Sequence, residues 1–390
     1  MIRDHDTIAA PATAAGGALA VIRISGEEAL RICDRIFRGR KPLAAAAGYT
    51  VHYGEIVDDG RVLDDVLVTV FRAPRSYTGE DAAEISCHGS QYIVSEILRL
   101  LTASGARMAG PGEFTIRAYL AGKLDLSQAE AVADIIASSS RAAHALAANQ
   151  MRGGYSDALE GLCEKLLELT ALLELELDFS EEEVEFADRA QLREAMQRIG
   201  AHIDALRNSF TLGNAIKEGV AVAITGAPNV GKSTLLNRLL NEERVLVSDI
   251  AGTTRDVIEE RINIDGVVFR FLDTAGIRAT DDRLEQMGIQ RTMSSIERAQ
   301  IVIHMVDAST LAGPVPAPGF PLRPDQKLLT VINKLDKAPA ALQLPEGAIG
   351  ISAKQGKGID TLCDALRCAV DTEALYHGDP VVSNSRHYEA

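Results

Sequence analysis

Three changes of periodicity predict a multi-domain chain: an α+β region, an α-helical bundle and a mostly parallel α/β sheet. Short apolar runs broken by turn residues fill roughly the first 122 positions. Leucine-rich stripes at helical spacing follow Ser127. From Gly219 onward, five short apolar runs alternate with helical stretches. The length of 390 residues suits two or three domains.

In the first region Leu19 to Ile24, Val66 to Phe71 and Glu84 to Cys87 read as strands, and Gln91 to Leu101 reads as a helix. At Ser127 the character changes. Ser127 and Glu130 fit a capping box that opens one long Ala-rich helix. A second helix carries Leu159, Leu162, Leu166, Leu169, Leu173 and Leu177. A third carries Leu192, Met196, Ile199, Ile203, Leu206 and Phe210. Steps of three and four put one apolar stripe on each, as a bundle requires. The acidic run Asp178 to Phe186 joins them and reads as a solvated connection near a helix start. The five later runs are 220–225, 267–273, 301–307, 328–334 and 348–352. They predict a parallel sheet covered on both faces. Pro314 to Pro324 holds five prolines and reads as a surface loop.

The net charge of −15 rules out a uniformly basic nucleic-acid coat. Asp157 to Glu194 holds 13 acidic and 3 basic residues, so two-thirds of the excess sits in one helical segment. A basic groove elsewhere stays compatible with the total. Cys33, Cys87, Cys163, Cys363 and Cys368 are scattered and form no CxxC pair. That argues against a zinc ribbon or a disulfide framework and fits a reducing cytoplasm. No apolar stretch of about 18 residues predicts a membrane span. Ile8 to Ile22 is broken by Pro11, Gly16 and Gly17 and follows Asp4 and Asp6, so it reads as a loop into a strand, not a signal peptide.

The chemistry is concentrated in GAPNVGKS (226–233), which matches GxxxxGK[ST] between a strand and a helical stretch. Backbone amides of Asn229, Val230 and Gly231 can curl around phosphates at a helix N-terminus. Lys232 would bind the β- and γ-phosphates. The Ser233 hydroxyl would hold Mg²⁺, with Thr234 beside it. Asp273, Thr274, Ala275 and Gly276 end the second apolar run, where a carboxylate can hold magnesium's water and a glycine can approach the γ-phosphate. Asn333, Lys334 and Asp336 end the fourth run, and Ser352, Ala353 and Lys354 end the fifth. Asp336 can accept from guanine's N1–H and 2-amino groups; adenine lacks that donor pair. These motifs predict GTP over ATP and resemble the translation-factor-related GTPases. Ras-like proteins place a glutamine after DTAG, whereas this chain has Ile277, and no arginine finger is evident. Asn229 offers an amide oxygen for a monovalent cation, and Glu285 is a candidate to orient water.

Across the whole chain the sequence resembles the MnmE (TrmE) family of bacterial tRNA-modifying GTPases. The resemblance rests on DTIAAPAT (6–13), VIRISG (21–26), YTGEDAAEISCHG (77–89), PGEFTIRAYLAGKLDLSQAEAVADII (111–136), DFSEEEVEF (178–186), GAPNVGKS, DIAGTTRD (249–256) and DTAGIR (273–278). It implies an α+β folate-binding-like N-terminal dimerisation domain over 1–122 and a helical domain beginning over 123–217. A Ras-like P-loop G domain over 218–374 would be inserted in that helical domain, which resumes over 375–390.

The resemblance also implies site residues. Asn229, Ser248, Ile250 and Thr253 would coordinate K⁺. Thr254 would join Ser233 on Mg²⁺, and the loop Ser248, Asp249, Ile250, Ala251, Gly252, Thr253 would close over GTP. Glu285 would orient the attacking water, with hydrolysis activated when two G domains meet in the homodimer. Arg23, Glu84 and Lys123 would bind 5-formyl-tetrahydrofolate. The implied function is to work with GidA/MnmG, in a heterotetramer, on the wobble uridine (U34) of tRNA. There it would add a carboxymethylaminomethyl-type group at C5, with tetrahydrofolate carrying the one-carbon unit. A competing expectation is a GTPase switch for ribosome assembly or stress signalling. The family ends in a C-[IL]-G-K motif several tens of residues further on, and none of the five cysteines stands in one. The resemblance therefore implies either a truncated chain, with its bundle missing closing helices, that keeps GTPase and folate binding without tRNA modification, or a longer protein whose remainder carries those helices and that motif.

Overall fold

The computed structural model describes residues 6–14, 16–178, 189–242, 259–272, 293–311, 313–339, 344–370 and 381–383. They divide into two compact units, Met1–Val132 and Ala133–Ala390.

The first unit is built on β1 (Ile8–Pro11), β2 (Leu19–Ser25), α1 (Ala29–Ile36), β3 (Phe37–Gly39), β4 (Thr50–Asp58), β5 (Arg61–Phe71), β6 (Ala82–His88), α2 (Gln91–Ala103), β7 (Arg107–Met108) and α3 (Glu113–Leu120). Its seven strands run in the order β3-β4-β5-β6-β2-β1-β7. The three expected strands are β2, β5 and β6. Alternation sends Val66, Val68 and Val70 of β5 and Ile22 and Ile24 of β2 inward, with Ile85 of β6. They pack with Leu30, Ile36, Ile97 and Leu101 of α1 and α2. The opposite face leaves Leu19, Val51, Tyr53 and Leu67 exposed. Asp59 (φ 44°) and Gly60 (φ 85°) close β4 onto β5 in a two-residue turn with both φ positive, matching the strand twist.

An ion-pair network clamps the far end of this unit. Arg117 is 6% exposed; its Nη1 donates to Glu80 Oε1 at 3.0 Å, and its Nη2 donates to Asp6 and to Glu113. Arg107 donates to Asp6 Oδ2 at 2.7 Å and to Glu113 Oε1 at 2.6 Å. The Arg107 bond, followed by the Gly110 amide and Arg117, outweighs burial and holds the Glu113 carboxyl at about 2, against an ordinary 4.5. Because the folded value is depressed, this stabilisation is complete above pH 4.5 and drains away as pH falls toward about 2. A shift of that size is worth about 3 kcal/mol, or about 2 once water around the half-exposed Arg107 is allowed for. Urea midpoints of the first unit should therefore fall between those pH values, and Glu113→Gln should flatten that slope.

Helices lead into the second unit, and the first of them spans the boundary after Val132. α4 (Leu126–Ala137), α5 (Arg141–Met151), α6 (Gly154–Asp178) and α7 (Arg189–Glu218) precede the sheet. Two local expectations are corrected. The capping box is formed by Asp125 and Gln128, not by Ser127 and Glu130: Gln128 N donates to Asp125 Oδ1 at 2.8 Å, and Asp125 N donates to Gln128 Oε1 at 3.0 Å. The D-x-x-Q pattern lies two residues upstream and places a carboxylate at the positive end of the helix. Ser127 is instead buried within the first turn. The single Ala-rich helix is two helices. Ser138 Oγ turns back to Ile135 O at 2.7 Å, and Ser140 Oγ caps Ala143 N at 3.1 Å, so the serine run competes with the helical ladder.

The apolar stripes are half covered. Leu162, Leu169, Ile199 and Leu206 are buried, whereas Leu159, Leu166, Leu173, Met196 and Ile203 are exposed. Leu177, Leu192 and the acidic connection 179–186 lie outside the described side chains. Residues 381–383 form neither helix nor strand and return to these helices. Val382 N donates to Ser209 Oγ at 3.0 Å and its side chain packs with Tyr155 and Leu206. Gln150 Nε2 donates to Ser383 Oγ at 2.9 Å. A Cβ at Gly213 would stand 2.1 Å from Val382 O, so only glycine permits this approach.

β8 (Val220–Gly226), α8 (Lys232–Glu242), β9 (Glu260–Ile264), β10 (Val267–Phe271), α9 (293–298), β11 (Ile301–Asp307), β12 (Lys327–Asn333), β13 (Ile349–Gly350) and α10 (Ile359–Cys368) complete the unit. The sheet order is β13-β12-β11-β8-β10-β9, parallel except for the β9–β10 pair. The five expected runs are β8, β10, β11, β12 and β13. β9 is an added antiparallel edge. Among the described residues no helix is long and apolar enough to cross a membrane.

Candidate functional site

The carboxyl ends of β8, β12 and β13 converge, which is where parallel α/β sheets bind ligands. The loop after β8 has positive φ at Gly226 (143°), Asn229 (62°) and Gly231 (106°). Both glycines are forced. A Cβ at Gly226 would lie 2.4 Å from Met305 O, and one at Gly231 would lie 2.3 Å from Asn333 Nδ2. Val230 is buried as the loop's anchor, Asn229 is exposed, and Lys232, Ser233 and Thr234 open α8. Lys232 Nζ donates to Gly226 O at 2.7 Å and Ala227 O at 3.1 Å. Its ammonium lies across the loop, and burial lowers its pKa. Phosphate oxygens drawn to this helix end would meet that charge directly.

Asn333 ties three loops together. It is 2% exposed; Nδ2 donates to Val230 O at 2.8 Å, and Oδ1 accepts from Ala353 N at 3.0 Å. The phosphate loop, the end of β12 and the loop after β13 therefore share one fastener. Asp336 Oδ1 accepts from Ser352 Oγ at 2.6 Å, and this bond holds its carboxyl below the usual range. Lys334 adopts the left-handed conformation (φ 65°) and its Nζ reaches Asp307 Oδ2 at 2.6 Å. Ser309 fixes the other oxygen of Asp307 through its amide at 2.9 Å and its hydroxyl at 2.7 Å. Lys354 is exposed beside Ala353. The structure thus gathers Asn229, Val230, Gly231, Lys232, Ser233, Thr234, Asn333, Lys334, Asp336, Ser352, Ala353 and Lys354 into one site. Ser248, Asp249, Ile250, Ala251, Gly252, Thr253, Thr254, Asp273, Thr274, Ala275, Gly276 and Glu285 lie outside the described residues. Asp307 was missed by sequence reading; its signal was a carboxylate closing the buried run IVIHMVD.

In the first unit, Arg23 and Glu84 face each other across β2 and β6. Arg23 Nη2 and Nε donate to Glu84 Oε1 at 2.7 and 2.9 Å. The guanidinium lies 5.2 Å from the Tyr77 ring centroid and 5.6 Å from that of Phe114. Tyr77 Oη and Thr115 Oγ1 are 3.0 Å apart. Lys123 is exposed and approaches Gly79. Tyr77 and Phe114 were not singled out, although both stand in the quoted motifs YTGEDAAEISCHG and PGEFTIRAY. Among the described residues no cluster of His, Cys, Asp and Glu could hold a metal by itself.

A phosphate loop after the first strand of a parallel sheet, fastened to an Asn-Lys-x-Asp strand end and a Ser-Ala-Lys loop, defines a GTP-binding P-loop protein. Residues 7–123 match the family described as GTP-binding protein TrmE N-terminus, and residues 126–390 match the MnmE helical domain. The chain is 51% identical over 405 aligned residues to the tRNA modification GTPase MnmE of Bacteroides thetaiotaomicron, covering 99% of this chain and 87% of that protein. It is 49% identical over 411 residues to the MnmE of Flavobacterium johnsoniae, with the same coverage. The chain belongs to the MnmE family of tRNA modification GTPases. A crystal structure of Era from Aquifex aeolicus aligns with 38% of this chain and 56% of its own at 32% identity, with a TM-score of 0.28.

Proposed function

We propose that this chain is a potassium-dependent GTPase of tRNA modification, activated when the G domains of a homodimer meet. With GidA/MnmG it would add a carboxymethylaminomethyl-type group at C5 of the wobble uridine, using a tetrahydrofolate-borne one-carbon unit. The observation that carries the GTP half is the fastening of Asp336 by Ser352 and of both flanking loops by Asn333. It presents a fixed carboxylate to a base whose phosphates lie on the Lys232 loop. We read 1–122 as the N-terminal domain, 123–217 and 375–390 as helical domain, and 218–374 as a G domain inserted between them. The return of 381–383 to α5, α6 and α7 supports that reading. We place the protein in the cytoplasm.

Ser233 and Thr254 would hold Mg²⁺, and the Ser233 position at the first turn of α8 suits that ion. Asn229, held with positive φ at the exposed loop crest, would hold K⁺ with Ser248, Ile250 and Thr253. Such a cation supplies positive charge to the phosphates. Glu285 would orient the water that attacks the γ-phosphorus as the bond to the β-phosphate breaks. The flat walls of Tyr77 and Phe114 around Arg23 and Glu84 suit a planar heteroaromatic ring, with Glu84 accepting its N–H donors and Lys123 pairing with a carboxylate tail. The exposed Leu19, Val51, Tyr53 and Leu67 give the first unit an apolar sheet face for the second protomer.

GTP hydrolysis should be much faster in KCl than in NaCl at equal ionic strength. Glu285→Ala should remove most of it while sparing GTP binding. Equal rates in the two salts would remove Asn229 from its role. Mass spectrometry of tRNA from a deletion strain should show loss of the wobble-uridine modification; unchanged uridines would favour a ribosome-assembly or stress switch instead.

A further inference from the structure

The chain carries a net charge of −15, yet one stretch of the first unit is strongly basic. From Arg31 to Tyr53 it holds five cations, Arg31, Arg35, Arg38, Arg40 and Lys41, against one acid, Asp34. The stretch runs from α1 through β3 and the following loop into β4. Its charges are not engaged alike. Arg31 Nη1 donates to Glu28 Oε1 at 3.0 Å, and Arg35 Nη1 donates to Ser104 O at 2.7 Å. Asp34 turns back on the chain and accepts from Leu43 N at 2.6 Å and Ala44 N at 2.9 Å. Arg38, Arg40 and Lys41 are exposed, and none makes a side-chain hydrogen bond or ion pair among the described residues. Glu55 stands opposite Arg38 in the β3–β4 register without pairing to it.

The three free cations sit on a fixed arm. Phe37 before them is 6% exposed, and Leu43 after them is fully buried. β3 is held on β4 from Phe37 to Gly39, and Asp34 closes the single helical turn at Leu43–Ala45. Arg72 fastens the far side of the loop, its Nε donating to Ala46 O at 3.2 Å. The chain then reaches Tyr49. Its N donates to Val70 O at 2.7 Å, which pins the backbone, while its ring is 66% exposed. Phe71 supports that ring edge-on, 5.7 Å between centroids. Unpaired cations and a propped, solvent-facing aromatic on one short loop suit single-stranded or looped RNA. The cations meet phosphates, and the ring stacks on an unpaired base. An acidic protein surface would use the cations and leave the flat ring without a role.

We infer that Arg38, Arg40, Lys41 and Tyr49 form an RNA-docking surface on the first unit, with the three cations on the phosphate backbone and Tyr49 under an unstacked base. The surface lies apart from the nucleotide site and from Arg23 and Glu84, so it holds the tRNA and takes no part in the chemistry. It resolves the charge problem of an acidic chain that acts on a polyanion, because the basic charge is concentrated where it is needed. The inference rests on the tRNA-modification reading above.

The test measures binding of fluorescent tRNA to the whole chain by anisotropy across a salt series. R38Q/R40Q/K41Q should weaken binding about 10–100-fold at moderate salt and should flatten the slope of log K against log[salt] by about 2–3. Y49A should weaken binding about tenfold and leave that slope unchanged, because stacking releases no counterions. Y49F should bind like the parent. Basal GTP hydrolysis without tRNA and the Tm of the first unit should be unchanged in all three. Parent affinity and parent slope in R38Q/R40Q/K41Q overturn the proposal. So does a loss of binding that comes with a lower Tm, which marks general damage, and so does parent affinity in Y49A. Polyglutamate that displaces labelled tRNA as well as unlabelled tRNA does would make the surface a dock for acidic protein and overturn the RNA assignment. A parent chain that binds no tRNA overturns the surface, whereas the tRNA-modification reading stands or falls on the wobble uridines of the deletion strain, so the two failures are distinct.

Discussion

Asp336→Asn will weaken GTP binding by about 10³-fold, roughly 4 kcal/mol, and will make xanthosine triphosphate the better ligand. The carboxylate, aligned by Ser352, would accept two hydrogen bonds from one edge of guanine. An amide offers one acceptor and one donor group, so a guanine donor is left facing a donor. Xanthine carries a carbonyl where guanine has its 2-amino group, and the amide N–H fits it. Titration with fluorescent GTP and XTP analogues reads the exchange directly. Unchanged GTP affinity would mean that position 336 does not touch the base.

The second large effect is structural. Arg117→Ala should destabilise the first unit by about 3–5 kcal/mol. The truncation strands Asp6, Glu80 and Glu113 around one missing cation, and Glu113 is itself almost fully buried. Arg107 can pair with two of the three, which keeps the loss from being larger. Arg117→Lys should restore little, because a single ammonium cannot span three carboxylates as the planar fork does. Calorimetry should show an earlier transition for the first unit. A melting profile that matches the parent would show that the network contributes nothing net.

The phosphate loop, Asn333 to Asp336 and Ser352 to Lys354 were readable in sequence because the ligand dictates residue types at fixed local spacing. What joins them was not. Nothing in the order of residues announces that Asn333 bonds Val230 and Ala353, or that Asp307 holds Lys334, since these partners meet only after the sheet forms. Local ambiguity explains other differences. D-x-x-Q and S-x-x-E overlap near position 127, and either can start a helix; the carboxylate took the cap. The serines at 138–140 stand in an otherwise helical composition, and their side-chain bonds divided the helix. β4 carries His52, Gly54 and Glu55, which weaken its strand signal, yet it pairs along its length with β5. Heptad-like spacing marked the stripes of α6 and α7 correctly but could not say how much of each is covered, because that depends on neighbours outside the helix.

The contact of Gly213 with Val382 has a meaning beyond packing. The 168 residues between them form a loop whose two ends meet at this contact. A flexible coil of that length would lose about 4–5 kcal/mol of entropy on closure. A folded stretch whose own ends lie side by side has already met that cost, and Ala142 and Leu146 of α5 with Ala215 and Ile216 of α7 join the core of the sheet beside this seam. A side chain at position 213 would do more than clash with one carbonyl. It would part the two chain segments at the seam and loosen one of the attachments between the sheet and the helices.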